Sequence, residues 1–216
     1  MPDQYKRFAT RDDLGLSGAE FAVLRRLTRP EKVQAFLDAI PSNHEIGGET
    51  ILSVREVLRQ HRAHCIEAAF VAACALWIHG EPPLVLYMDC APSDSPHVVT
   101  LFRRDRCWGA ISKSRTAYLR YRDPIYRSLR ELAMSYFHEY LDDDGRKTLR
   151  RYSRSFDLRR LDARLWVTSE RACNEANDRV AGLRQYTLVS ARQVRLLSHG
   201  TSSTAPTDGQ GPSESG

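Results

Sequence analysis

At 216 residues, with 42% apolar and 27% charged side chains, the chain has globular composition and enough length for one domain with a proper core. The start MPDQYKRFATRDDLG lacks the apolar segment of a secretory signal, and the longest apolar run, Ile66 to Ile78, is too short for a bilayer and is interrupted by Glu67, so a cytoplasmic protein with no membrane partner is expected. The net charge of +5 comes mainly from arginines between Arg103 and Arg164, but these alternate with apolar residues at helical and strand spacing and carry no recognition motif, which points to a solvated basic surface rather than nucleic acid.

In chain order, SGAE (Ser17, Glu20), TRPE (Thr28, Glu31) and SVRE (Ser53, Glu56) are capping-box patterns that predict helices over 18–27, 30–40 and 54–62. The Pro/Gly/Asn-rich stretch PSNHEIGGET between the last two reads as a loop. A helix from Cys65 to Ile78 follows, apolar on all sides and so buried on all sides, and ended by Gly80 with Pro82 and Pro83. Residues 83–90, 97–102 and 107–112 are rich in β-branched and aromatic side chains and read as strands, the last two joined by the turn RRDR in an antiparallel hairpin. Asp123 as N-cap and Pro124 at the first helical position predict a helix over 124–140. Beyond it we expect a strand at 163–168 and helices at 170–180 and 190–197. Residues 198–216 have the composition of a disordered tail. Helices placed before an antiparallel sheet give an α+β class, with residues 1–197 as a single domain whose core spans about 53–115.

Five cysteines (Cys65, Cys74, Cys90, Cys107, Cys173) form no CxxC pair and no zinc-finger spacing, so free thiols in a reducing compartment are expected, with no metal and no cofactor. Cys65 differs from the rest by position. A thiol at the first residue of a helix is favoured as thiolate by the unpaired amides, and His61, Arg62 and His64 can add positive charge. Its own backbone N–H is placed as an oxyanion donor, and Gln60 is a second candidate donor. Glu67, at the third helical position, reads as a capping residue.

A nucleophilic thiol needs a base, and His97, opening a strand after APSDSP, is the candidate. If Arg103 pairs with Arg106 across a two-residue turn, Phe102 lies opposite Cys107 and His97 opposite Ser112. A slip of one would offer Ile111 or Lys113 instead. Trp108 is a candidate to pack over the histidine. His138 lacks the paired spacing of a metal site, and Asp142, Asp143 and Asp144 lack the alternation of a calcium loop.

HCIEAAFVAACALWIHGEPPLVL followed by HVVTLF and WGAIS resembles the transglutaminase-like fold, a branch of the papain-like cysteine superfamily, over about residues 55–115. TRPEKVQAFLDAIPSN and DPIYRSLRELAMSYFHEYLDDDGRKTLRRYS resemble an uncharacterised bacterial group within it. The resemblance implies a buried central helix packed on an antiparallel sheet, with Cys65 as nucleophile, His97 as base and Ser112 in the third position. The family pattern has Asp there, and Ser112 brings no negative charge; Asp89 and Asp94 are alternative sources of one. The expected activity is that of a cysteine hydrolase or acyltransferase, which forms a thioester on an amide or ester of a peptide, protein or small molecule. The competing expectation, motivated by Ser112 and by the basic segment between Arg103 and Arg164, is a catalytically weak or inactive scaffold that serves as a binding module for an anionic partner.

Overall fold

The computed structural model describes residues 6–44 and 50–200. Short capped helices open the chain: α1 (Arg11–Leu14), α2 (Gly18–Arg25), α3 (Pro30–Ala39) and α4 (Val54–Gln60). Ser17 and Glu20 form the expected reciprocal cap, and Ser53 accepts from the Glu56 amide. Thr28 does not cap α3. Arg29 stands at that N-cap without a side-chain bond, and Pro30 takes the first helical position, where its missing N–H costs nothing. α4 closes on His61, held in the left-handed region at φ 51°.

α5 (Cys65–Ile78) is the centre of the molecule, with every residue from Ile66 to Ile78 buried. It lies across an antiparallel sheet of β1 (Leu84–Cys90), β2 (His97–Arg104), β3 (Cys107–Ile111), β4 (Arg122–Tyr126), β5 (Leu149–Ser153), β6 (Phe156–Asp157) and β7 (Gln185–Thr187). The strand order is β4-β3-β2-β1-β5-β7, and β6 also pairs with β1. Alternation along the strands splits the core in two. Val85, Val98, Phe102 and Ile111 face the α5 side, while Leu86, Val99, Leu101 and Ala110 pack against α6 (Leu129–Met134) and Tyr136, Phe137 and Tyr140 beyond it. The Thr100 hydroxyl ties sheet to central helix by donating to Ala69 O at 2.7 Å. The architecture is therefore α+β, with an antiparallel sheet between helical layers.

Four expectations need correction. Residues 122–126 are not helical but form the edge strand β4, where Pro124 is tolerated because an edge leaves amides unpaired; the helix starts only after Ser128, whose hydroxyl accepts from the Glu131 amide at 3.1 Å. The β2–β3 hairpin pairs Arg104 with Cys107, not Arg103 with Arg106. Its turn is Asp105–Arg106, both at positive φ (46° and 68°), so the register moves by two residues and leaves each side chain on its expected face. Residues 163–165 form a 3₁₀ turn rather than a strand: Trp166 and Val167 are buried, and their carbonyls accept from the Val54 and Arg55 amides at the start of α4. The C-terminal helices are shorter than read, α7 (Asn174–Ala181) and α8 (Ala191–Val194).

β5, β6 and β7 answer to no strand expected from the sequence. β5 hides its pattern behind arginines, with Leu149 and Ser153 buried while exposed Arg151 pairs with Asp89 at 2.6 Å. Much of the basic segment is neutralised in this way, as Arg104, Arg120, Arg122 and Arg159 pair with Glu81, Asp38, Glu139 and Asp157. Ser198 and Gly200 are hydrogen-bonded to Lys147 and Gly145, so the chain is held to the domain as far as Gly200. The rest of the expected tail, and residues 45–49 of the expected loop, lie outside the described residues. Among the described residues no helix is long and apolar enough to cross a membrane.

Candidate active site

Cys65 opens α5 and lines a cleft of about 580 Å³. Residues 42–44, 93–97, 113–116 and 140–143 line it as well. The segment 41–43 is stitched to the turn that delivers the cysteine, since the Asn43 amide donates to Ala63 O at 3.0 Å and the Ala63 amide to Pro41 O at 3.1 Å.

Burial alone would push the Cys65 thiol up. Hydrogen bonds to His64 and His97, and the charge these imidazoles can carry, outweigh it and hold the thiol at about 5. The amides of the first turn, which have no intrahelical partner, favour the anion in the same direction.

His97 is the first residue of β2 and is buried. Its Nε2 lies 3.2 Å from the Ser112 hydroxyl. That hydroxyl has a single hydrogen, which goes to Leu119 O at 2.7 Å, with Arg120 O at 3.1 Å sharing the site. Toward His97 it can therefore only accept, so Nε2 carries a proton and Nδ1 is the nitrogen left for the thiol. Tyr136, fully buried, backs this arrangement: its ring stands edge-on to His97 at 6.5 Å, and its hydroxyl also donates to Arg120 O. The backbone of Ser112 is clamped by Gln34 of α3, which accepts from its amide at 3.1 Å and donates to its carbonyl at 2.9 Å. Lys113 anchors the next residue by donating to Leu37 O and Ile40 O at the end of α3.

A second imidazole flanks the thiol. His64, the N-cap of α5, has Nε2 3.2 Å from the carboxylate of Glu67, which is completely buried. Glu67 also accepts from the Leu52 and His64 amides at 2.7 Å each, from Asn43 at 3.0 Å and from the Thr50 hydroxyl at 3.0 Å. Burial disfavours its charge, but His64 and these donors keep it below the usual carboxylate range. Burial likewise works against charge on His64, yet its bonds to Cys65 and Glu67 raise it to about 10.

No protein-family profile matches the chain, and no curated protein matches it significantly.

Cys65, His97 and Ser112 thus meet in one place. His97 and Ser112 do so as diagonal rather than direct cross-strand neighbours, because Thr100 is the residue opposite Ile111 and Ser112 lies just past the end of β3. The alternative carboxylates are engaged elsewhere: Asp89 with Arg151, and Asp94 with the Thr148 hydroxyl and the Ser95 amide. Gln60 gives its amide to Glu56 within α4. Trp108 is remote from the histidine: it lies opposite Arg103, whose guanidinium stacks over it at 4.7 Å. His138 is exposed and edge-on to Phe137, and Asp142 organises its own turn by accepting from the Asp144 and Arg146 amides. Among the described residues no group of three or more His, Cys, Asp and Glu side chains could hold a metal ion.

Three contributors escaped the sequence reading: the pairing of Glu67 with His64, Tyr136 behind His97, and Gln34 on Ser112. Only the first left a signal. A carboxylate inside a helix buried all round must be satisfied by several donors, which makes it more than a surface cap.

Proposed function

We propose that this chain is a cysteine hydrolase or acyltransferase of the transglutaminase-like, papain-like type, acting on an amide or ester bond. The observation that carries this reading is the placement of Cys65 at the first residue of the central helix, in one cleft with His64 and His97, with His97 within 3.2 Å of the Ser112 hydroxyl. The order of elements supports it too: the cysteine opens the central helix, the histidine opens the second strand, and the third residue follows the next strand.

In the proposed reaction the Cys65 thiolate attacks the carbonyl carbon, a C–S bond forms, and the carbonyl electrons move to oxygen. The backbone N–H of Cys65 at the helix end is a donor for that oxyanion. His97, protonated at Nδ1, hands this proton to the leaving amine or alcohol as its bond to the acyl carbon breaks. It then takes a proton from water or an acceptor amine, whose attack cleaves the thioester and returns the thiolate. Throughout, Ser112 keeps the ring turned toward the sulfur by accepting from Nε2.

The test is acylation of the full chain with p-nitrophenyl acetate, followed by peptide mapping. One acetyl group on the peptide containing Cys65, lost again on standing in buffer and blocked by prior iodoacetamide, is the expected result. Acetylation no faster at Cys65 than at Cys74 would sink the assignment and favour the scaffold reading.

A further inference from the structure

Where the third position brings no charge, the helix that carries the sulfur holds a buried carboxylate in its first turn. Glu67 sits two positions after Cys65 on the same helical turn, fully buried, and receives hydrogen bonds from Leu52, His64, Asn43 and Thr50. A carboxylate so enclosed persists as an anion only with donors and a counter-charge, and His64 Nε2 at 3.2 Å is placed to supply it. His64 directly precedes Cys65 at the start of α5 and lines the cleft with it, so its imidazole flanks the sulfur. We propose that His64, held as an imidazolium by Glu67, is the permanent counter-cation of the Cys65 thiolate, so that nucleophile formation is separated from the proton shuttling of His97.

This deepens the cysteine-nucleophile reading and rests on it for its catalytic meaning, though the resting thiolate itself does not require any substrate. His64 touches the reacting sulfur and is a catalytic residue in this sense, whereas Glu67 acts through His64 and is a positioning residue. The proton balance is simple: the thiol proton rests on His97 Nδ1, from which it goes to the leaving group, the His64 imidazolium is balanced by the Glu67 carboxylate, and no bond to His64 forms or breaks during acyl transfer.

The other titratable groups around the pair are consistent with this. Tyr87 on β1 and Tyr140 beyond α6 feel the Cys65 charge but are pushed up by burial and stay neutral. Cys173, behind Glu67, is pushed up to about 12 by burial. Asp94, His44 and Lys113 line the cleft beyond, and Lys113 spends its ammonium on α3 carbonyls. The sign of the pH effect follows. Cys65 is depressed from 9.0 to about 5 and His64 raised from 6.5 to about 10, so the pair is complete between those limits, loses the thiolate as pH falls through about 5, and loses the imidazolium as pH rises through about 10.

The experiment titrates the thiolate in the full chain, by its ultraviolet absorbance and by the rate of iodoacetamide alkylation of Cys65 from pH 4 to 9. His64→Asn keeps a strong N-cap residue while removing the cation. Its midpoint should rise by about two units, which slows alkylation at pH 6 about tenfold, and the melting temperature should fall because Glu67 loses its counter-charge, so the titration is read well below it. Glu67→Gln should shift the midpoint in the same direction. Should that variant fail to fold, His64→Asn decides alone. An unchanged midpoint in folded His64→Asn overturns the proposal even if acylation is intact. A wild-type thiolate with a low midpoint that shifts in His64→Asn, but without acylation, would remove the enzyme reading and leave this one standing.

Discussion

Cys65 and Cys74 lie on one helix, the first at its N-terminal residue facing the cleft and the second wholly enclosed in its middle. Burial pushes both thiols up, and for Cys74 nothing opposes it, so that group sits far above an ordinary thiol. At Cys65 the same penalty is overturned by hydrogen bonds and charge from two imidazoles, to about 5. The comparison teaches that the apolar helix is only the support, and that the chemistry is confined to its first turn and what meets it there. Cys65→Ser should break the contrast completely. Iodoacetamide modification of the native chain near neutral pH should vanish from this helix, and so should acyl transfer. Peptide-resolved mass spectrometry with Cys74 as internal reference checks both.

His97→Gln should come next. General acid–base help is worth about 10²- to 10⁴-fold, and turnover of an ester or amide should fall by that amount. Alkylation, which needs a thiolate but no proton for a leaving group, should fall by less than about tenfold because His64 remains. Equal losses in the two assays would show that His97 alone sustains the thiolate.

Ser112→Asp sharpens the comparison from the other side. The pattern that the sequence resembles would have an acid improve the site, but the surroundings argue the reverse. Ser112 is fully buried and donates its proton between two carbonyl oxygens, Leu119 and Arg120, and a carboxylate would face both with no hydrogen to give. The expected outcome is a loss on the order of 3 kcal/mol in stability and about tenfold or more in turnover. Ser112→Asn can still donate to a carbonyl and accept from His97, and should lose less of both. Denaturant melts with ester turnover measure the pair of effects.

Much of this site was legible because it depends on short-range rules. Cys65 at a helix start, a helix buried all round, and His97 opening a strand follow from periodicity and caps. Ser112 was reached through a register wrong by two residues, and it survived because a shift of two keeps every side chain on its face. What escaped depends on contacts far apart in sequence. Gln34 finds Ser112 across 78 residues, and nothing in VQAF announces it. Tyr136 lay in a segment read as one long helix from Pro124, although an edge strand accommodates that proline equally well. The buried partners of Glu67 come from residues 43 to 64, where spacing alone does not reveal which side chains turn inward.

The smallest expected effect belongs to the reference thiol. Cys74 makes no use of its sulfur beyond packing: it is fully enclosed in the hydrophobic core, on a helix buried from Ile66 to Ile78. Cys74→Ala removes one buried sulfur and leaves a small void, at a cost of about 1 kcal/mol. For a chain of this length that is a fall of about 2–4 °C in melting temperature. Because α5 transmits nothing chemical from its middle to its first turn, the alkylation rate of Cys65 and its pH midpoint should stay unchanged in the same variant. A shift in that midpoint would mean that packing in the middle of α5 sets the position of the sulfur, and the division between support and chemistry would fail.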